Sequence, residues 1–366
     1  MPAVNARLQD EAIDHAVTLE RYKNGVVRRM VATLNRSDAR LSAQLSEVLM
    51  RLDASQFTVE RLESLLKSVR ALNATAYATV LDALEPDLQA MAEYEAGYQA
   101  RALAAAVPAP VQVRFPIASV GADQVYAAAL SRPFQGRLLS GWFAELPESR
   151  MRLIQNTIRA GYMDGRTASE IVRQIKGTKA LNYADGILDR SRRELMTVVN
   201  TALSHTAQTA RATFAEANAD LVKGTKWLST LDARTTHECA IRDGLLYEVD
   251  THKPIRHRIP WLQGPGRLHF NCRSVSTLVT KSWRELGMDI DDLPAGTRAS
   301  MDGQVPADTT YSEWLGRQSA ARQDEILGAK RGALLRQGVP MEKFYNDKGQ
   351  WLTLDQLYQR EGLKRP

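Results

Sequence analysis

His237 and Cys239 are separated by one residue, His269 and Cys272 by two, and 29 residues lie between the pairs. Two thiolates and two imidazoles are the ligand set of a structural zinc site, which makes His237, Cys239, His269 and Cys272 the candidate metal ligands. The spacing argues the other way, because zinc knuckles usually leave two to four residues between ligands and His-x-Cys leaves one. Taken singly, Cys272 also reads as a small buried hydrophobe and His237 as a surface polar group. A disulfide between Cys239 and Cys272 is disfavoured in a reducing compartment. A structural zinc is the only cofactor these residues suggest.

Around these pairs stand Asp232, Arg234 and Thr235, and further on Asp243, Asn271 and Arg273. The plainer reading gives Asp232 a turn-capping role, its carboxylate accepting backbone N–H groups, with Arg234 or Arg273 pairing to Asp232 or Asp243. The alternative is a metal-dependent nuclease centre built from Asp232, His237, His269 and Asn271, in which a metal activates water against phosphate. No nucleophile–base arrangement is recognisable, so no catalytic residue is assigned. Gly264-Pro265-Gly266 is too short to cradle a phosphate and reads as a turn.

Charge points to a polyanion. The net charge is +6, yet residues 1–106 hold 12 Lys/Arg against 14 Asp/Glu, while residues 221–284 hold 11 against 5. Lys253, Arg256 and Arg258 crowd into six residues of a proline-bearing loop and are the candidate DNA-binding residues. A solvated basic surface with no nucleic-acid role accounts for the same numbers.

These residues need elements to hold them, and the pattern is mainly α. Residues 1–106 form a helical assembly region: Leu41, Leu45 and Val48 recur at helical spacing, as do Leu62, Leu65, Val69, Leu72, Ala76, Val80 and Leu84. Asp53-Ala54-Ser55 separates the two runs, Thr58 is the expected N-cap of the second, and Pro86 is expected to open a further helix. Residues 107–118 carry three prolines and read as an extended linker. Residues 119–222 return to helix, with Gly165 as a stop, Thr167 and Glu170 as a capping box, and one long helix over 189–219. Residues 223–292 read as a small α+β module, with strands in KGTKWLSTLD and SVSTLVT and a short run Leu245-Leu246-Tyr247 after the Asp243-Gly244 turn. Residues 293–366 are expected to be a helical tail with capping boxes at Thr310/Glu313 and Thr353/Gln356.

The chain has 366 residues, enough for two or three domains of roughly 100–200 residues each. Two cysteines exclude a disulfide framework. No apolar stretch reaches the roughly 18 residues of a membrane span. The first residues lack the apolar core of a secretory signal, so assembly in a cytoplasm is expected.

The order of motifs from Lys223 onward resembles a known family. KGTKWLSTLDARTTHECAIRDGLLYEV, a proline-bearing loop and HFNCRSVSTLVTKSW are similar to the central motif of the Mu F-like phage head morphogenesis family. GRLLSGWF and IRAGYMDGRTASEIVRQIKG upstream, and the YSEWLGRQ and LTLDQL tail, extend the resemblance over about residues 134–357. Two positions depart from the family pattern His-Pro-Asn-Cys-Arg-Cys: Phe270 stands for the proline and Ser274 for the last cysteine. The resemblance implies a minor head protein of the virion, present in multiple copies and assembled in the host cytoplasm. It also implies portal or capsid proteins as partners, and a part in DNA packaging or ejection. A nuclease and a sequence-independent DNA-binding module are the alternatives.

Overall fold

The computed structural model describes residues 3–51, 58–288, 297–301, 303–306 and 309–362. Helices dominate it, with a small sheet, as the pattern of the sequence requires. The break expected at residues 53–55 and the boundary drawn at 292/293 lie outside the described residues. No described helix is long and apolar enough to cross a membrane.

Two long helices open the chain, α1 (Ala3–Met50) and α2 (Val59–Ala106). Thr58 accepts a hydrogen bond from the Arg61 N–H at 3.2 Å, the capping contact expected of it. Pro86 does not open a helix. It lies inside α2, among the buried Leu84, Leu88 and Met91. Burying that stripe offsets the lost backbone bond, because each fully buried Leu or Met contributes roughly 1.5–3 kcal/mol.

The expected extended linker is also corrected. Residues 109–114 form a short helix, α3 (Ala109–Arg114), with proline within its first two positions. Proline suits a first helical turn, where its missing N–H has no partner to lose. Val107 and Val111 are buried in the core, so this stretch is packed structure. Four further helices follow: α4 (Ala122–Ser131), α5 (Leu139–Met163), α6 (Ala168–Lys176) and α7 (Ile187–Ala217).

Packing divides the chain into two units whose boundaries are not those of composition. One comprises residues 21–91 and 130–203. Its core joins Leu41, Leu45 and Val48 of α1, Leu62, Leu66 and Val69 of α2, Met151, Ile154 and Ile158 of α5, and Ile171 and Ile175 of α6. The α6 helix is short, and the capping box of Thr167 and Glu170 holds its first turn. Gly161 lets α5 approach α6: a Cβ there would lie 2.5 Å from Ile171 Cγ1. Asp38 is buried in this unit and pairs with both Arg150 and Arg192.

The other unit comprises residues 1–20, 92–129 and 204–366. Its sheet has the order β2 (Leu246–Tyr247), β1 (Val222–Leu228), β3 (Val275–Thr280), all antiparallel. Leu228 faces Val275 and Thr225 faces Leu278. Most of β3 is buried, including its hydroxyl-bearing residues. Each of these finds a partner: Ser276 bonds Gln208 of α7, Thr277 donates to the Leu8 carbonyl, and Thr280 donates to Asn5. Residues of α1 and α2 therefore complete the sheet, and Val4, Leu8 and Leu103 share a core with Phe214, Val222, Leu278 and Trp283.

The tail is not wholly helical. Residues 297–300 and 303–306 pair as a hairpin, β4 (Thr297–Ser300) and β5 (Gly303–Pro306), with Gly303 at φ +108°. A glycine free to adopt that angle makes the tight reversal possible. Beyond it come α9 (Tyr311–Gly316), α10 (Ala320–Leu327), α11 (Ala329–Arg336) and α12 (Leu354–Arg360), with both expected capping boxes formed.

Candidate functional site

The β1–β3 register sets the site. Because Leu228 pairs with Val275, the chain leaving β1 and the chain entering β3 meet at one end of the sheet. From β1 the chain runs through Asp232 into a single helical turn, α8 (His237–Ala240), capped by Thr236, whose hydroxyl accepts from the Cys239 N–H. On the β3 side, His269-Phe270-Asn271-Cys272 is a β-turn: the Cys272 N–H donates to the His269 carbonyl at 3.2 Å, and Asn271 sits at φ +56°. Asparagine tolerates that left-handed conformation better than most residues, which explains its place in the motif.

The two turns bring three of the four expected ligands together. Cys239 Sγ lies 3.7 Å from Cys272 Sγ and 3.3 Å from His269 Nε2. All three ligand atoms lie within 4.8 Å of one another. His237 does not join them. Its ring stacks on Trp351 with centroids 3.8 Å apart, because residues two apart on a helical turn point to different sides. The arrangement is thus two sulfurs and one imidazole, walled by Trp227, Tyr247 and Trp261.

The three groups shift one another's proton affinity. The hydrogen bond from Cys239, and after it the His269 ring, hold the Cys272 thiol well below its ordinary range against the effect of burial. The same contact with Cys272, together with burial, pushes the Cys239 thiol well above it. Burial alone would lower His269, but the hydrogen bond and charge of Cys272 outweigh it and raise it. The other ring nitrogen, Nδ1, donates to the Phe270 carbonyl at 2.9 Å. A carbonyl only accepts, so Nδ1 carries a hydrogen, and Nε2 is the nitrogen that faces the cluster.

Asp232 is committed to a structural role. Arg273 forks onto it through Nη1 at 2.6 Å and Nη2 at 2.8 Å, and the Arg234 N–H donates at 3.0 Å. Of the two arginines weighed for this pairing, Arg273 is the partner. The four residues of the nuclease arrangement do not converge, since Asp232 holds Arg273 and His237 faces Trp351. Asp243 accepts from the Ser229 N–H at 2.6 Å and from the Tyr311 N–H at 2.7 Å, which ties the end of β1 to the start of α9. Gly244, at φ +78°, returns the chain so that its N–H reaches the Trp227 carbonyl.

Lys253, Arg256 and Arg258 are all exposed. The residues between them anchor the loop: the Ile255 N–H donates to the Leu246 carbonyl at 2.9 Å, and His257 Nε2 donates to the same carbonyl at 2.8 Å. His257 also packs edge-on against Tyr247, and His252 against Trp261. Arg258 reaches Asp347 at 3.2 Å, but both side chains are about four-fifths exposed, where such a pair contributes little.

A mainly helical protein carrying one small α+β module, with its turns held by the Asp232–Arg273 pair and by backbone N–H groups on Asp243, is the class these features define. Within it, residues 152–277 match the model of the family described as phage Mu protein F like protein, a stretch from α5 to β3 covering about a third of the chain. The resemblance read from the central motif therefore holds over the segment that builds the site. No curated protein and no solved structure matches the chain.

Proposed function

We propose that the chain is a minor structural protein of a bacteriophage head, docking on portal or capsid protein and supporting head morphogenesis. The match over residues 152–277 carries this reading. The use of the motif supports it: Asp232, Asp243, Arg273 and Gly244 hold turns and join elements. Such a module presents a rigid surface to partners, and its motif serves the shape of that surface. Particles purified by density gradient from a lysate of the source should contain the chain in several copies per head. A chain found only in the soluble fraction, absent from intact particles, would overturn the reading.

DNA is the second partner we propose, in packaging or ejection. The supporting observation is the pinned loop that presents Lys253, Arg256 and Arg258 to solvent. Contacts of this kind neutralise phosphates without reading bases. Filter binding with duplexes of unrelated sequence tests it; equal affinity that falls steeply with salt is the expected result.

A further inference from the structure

We infer that Cys239, His269 and Cys272 hold one zinc ion, with a water molecule as fourth ligand on the side of Ser274. The geometry is the main argument. Two sulfurs each about 2.3 Å from a tetrahedral zinc lie about 3.8 Å apart, and a sulfur and an imidazole nitrogen about 3.6 Å apart. The corresponding separations are 3.7 Å and 3.3 Å, so an ion enters with shifts of a few tenths of an ångström.

The surroundings of the three residues point the same way. The Nδ1–H of His269 is held by the Phe270 carbonyl, the outer contact that fixes a ligating imidazole with its other nitrogen toward a metal. Both cysteines are 1% exposed and belong to a core cluster with Trp227, Tyr247 and Trp261. Two thiolates and a neutral imidazole around a divalent ion sum to zero charge, so the loaded site is compatible with that burial. Arg273 stands nearby, but Asp232 matches its charge.

The fourth position is set by what remains. A cavity of about 20 Å³ lies against Cys239, His269, Thr236 and Ser274. That is room for about one water. Ser274 lines this space together with Cys239 and His269, so it faces the open side of the cluster. The ion would tie the turn after β1 to the turn before β3, and its work is structural. The inference concerns this module alone and stands whether or not the chain enters a phage head.

The full-length chain, purified into metal-free buffer, should retain about one zinc per chain by elemental analysis. Cys272→Ser should lose it, and His237→Ala should keep it. Because a buried substitution can unfold the module, the unaltered chain supplies a second readout. Stripped with a chelator and loaded with cobalt, it should show sulfur-to-cobalt charge transfer and the intense visible bands of tetrahedral coordination. Ser274→Cys should strengthen the charge-transfer band by adding a third thiolate, and should slow metal release to a chelator. An unaltered chain with neither zinc nor a cobalt–sulfur band overturns the inference. So does zinc that persists in Cys272→Ser, or mass spectrometry that finds Cys239 and Cys272 joined as a disulfide.

Discussion

Arg273 grips Asp232 with both terminal nitrogens, at 2.6 Å and 2.8 Å, across 41 residues of sequence. The pair clamps the loop leaving β1 to the residue that follows Cys272. Bidentate pairs of this geometry are stronger than single contacts, and only about a quarter of either side chain is exposed. Arg273→Ala and Asp232→Asn should each destabilise the chain by about 1–3 kcal/mol. A double-mutant cycle in denaturant should show clear coupling; strictly additive effects would show that the pair contributes nothing. Burial works to raise the Asp232 carboxyl, but Arg273 outweighs it and holds it below its ordinary value of 3.8. The stability the pair supplies is therefore full above that pH and fades as pH falls beneath it.

A second buried pair makes a wider pH prediction. Glu95 is fully buried and accepts from Arg211 at 2.6 Å and His15 at 2.6 Å. Burial alone would raise its pKa; Arg211 and His15 together bring it to about 2 from 4.5. A depressed carboxyl stabilises the fold above its unfolded pKa and loses that contribution as pH falls through the folded one. Glu95→Gln leaves Arg211 buried without its counter-charge and should cost about 3–5 kcal/mol at neutral pH. The gap between wild type and variant, read from urea midpoints, should narrow between pH 4.5 and about 2. A gap that stays constant over that range would refute the assignment.

Gly161 should tolerate no side chain. A Cβ at 2.5 Å from Ile171 forces α5 and α6 apart, and overpacking of this kind costs about 1–3 kcal/mol. Gly161→Ala should lower the thermal midpoint, and pairing it with Ile171→Ala, which removes both clashing atoms, should lose less than the sum of the two single changes. If the two losses simply add, the contact is not the cause.

For the basic loop, replacing Lys253, Arg256 and Arg258 by alanine should reduce the salt slope of DNA binding by about 2.7, at roughly 0.9 per phosphate contact. Folding should be unaffected, because the anchoring groups are Ile255 and His257 rather than the cations. Equal slopes in wild type and variant would assign the charges to a protein partner instead.

Removing residues 1–106 should leave an insoluble remainder. Asn5 and Leu8 satisfy Thr280 and Thr277 of β3, and Val4, Leu8 and Leu103 fill its core. A soluble, folded fragment beginning at residue 107 would show that these contacts are dispensable. Any test of residues 1–106 as the assembly surface therefore needs substitutions at exposed positions rather than a deletion.

Much of this architecture was legible in order along the chain. The capping boxes at Thr167, Thr310 and Thr353, the stop at Gly165, the long helix ending at Ala217 and the strands on either side of the loop all rest on hydrogen bonds among near neighbours. Residue type and spacing decide such bonds. The hairpin escaped although Asp302-Gly303 is a turn signal, because the four-residue strands TRAS and GQVP beside it carry no apolar alternation, and Pro86 misled because burial on a 48-residue helix outweighs one missing N–H. His237 shows where local reading ends. In sequence it stands one residue from Cys239, nearer than the two to four intervening residues that a zinc knuckle usually leaves. The direction of its side chain depends on α8 being a helical turn and on Trp351, 114 residues away, offering a face to stack against. Cys239 and Cys272 meet only because Leu228 pairs with Val275, and a register is set by the sum of packing on both faces of a sheet, which no short stretch of sequence contains.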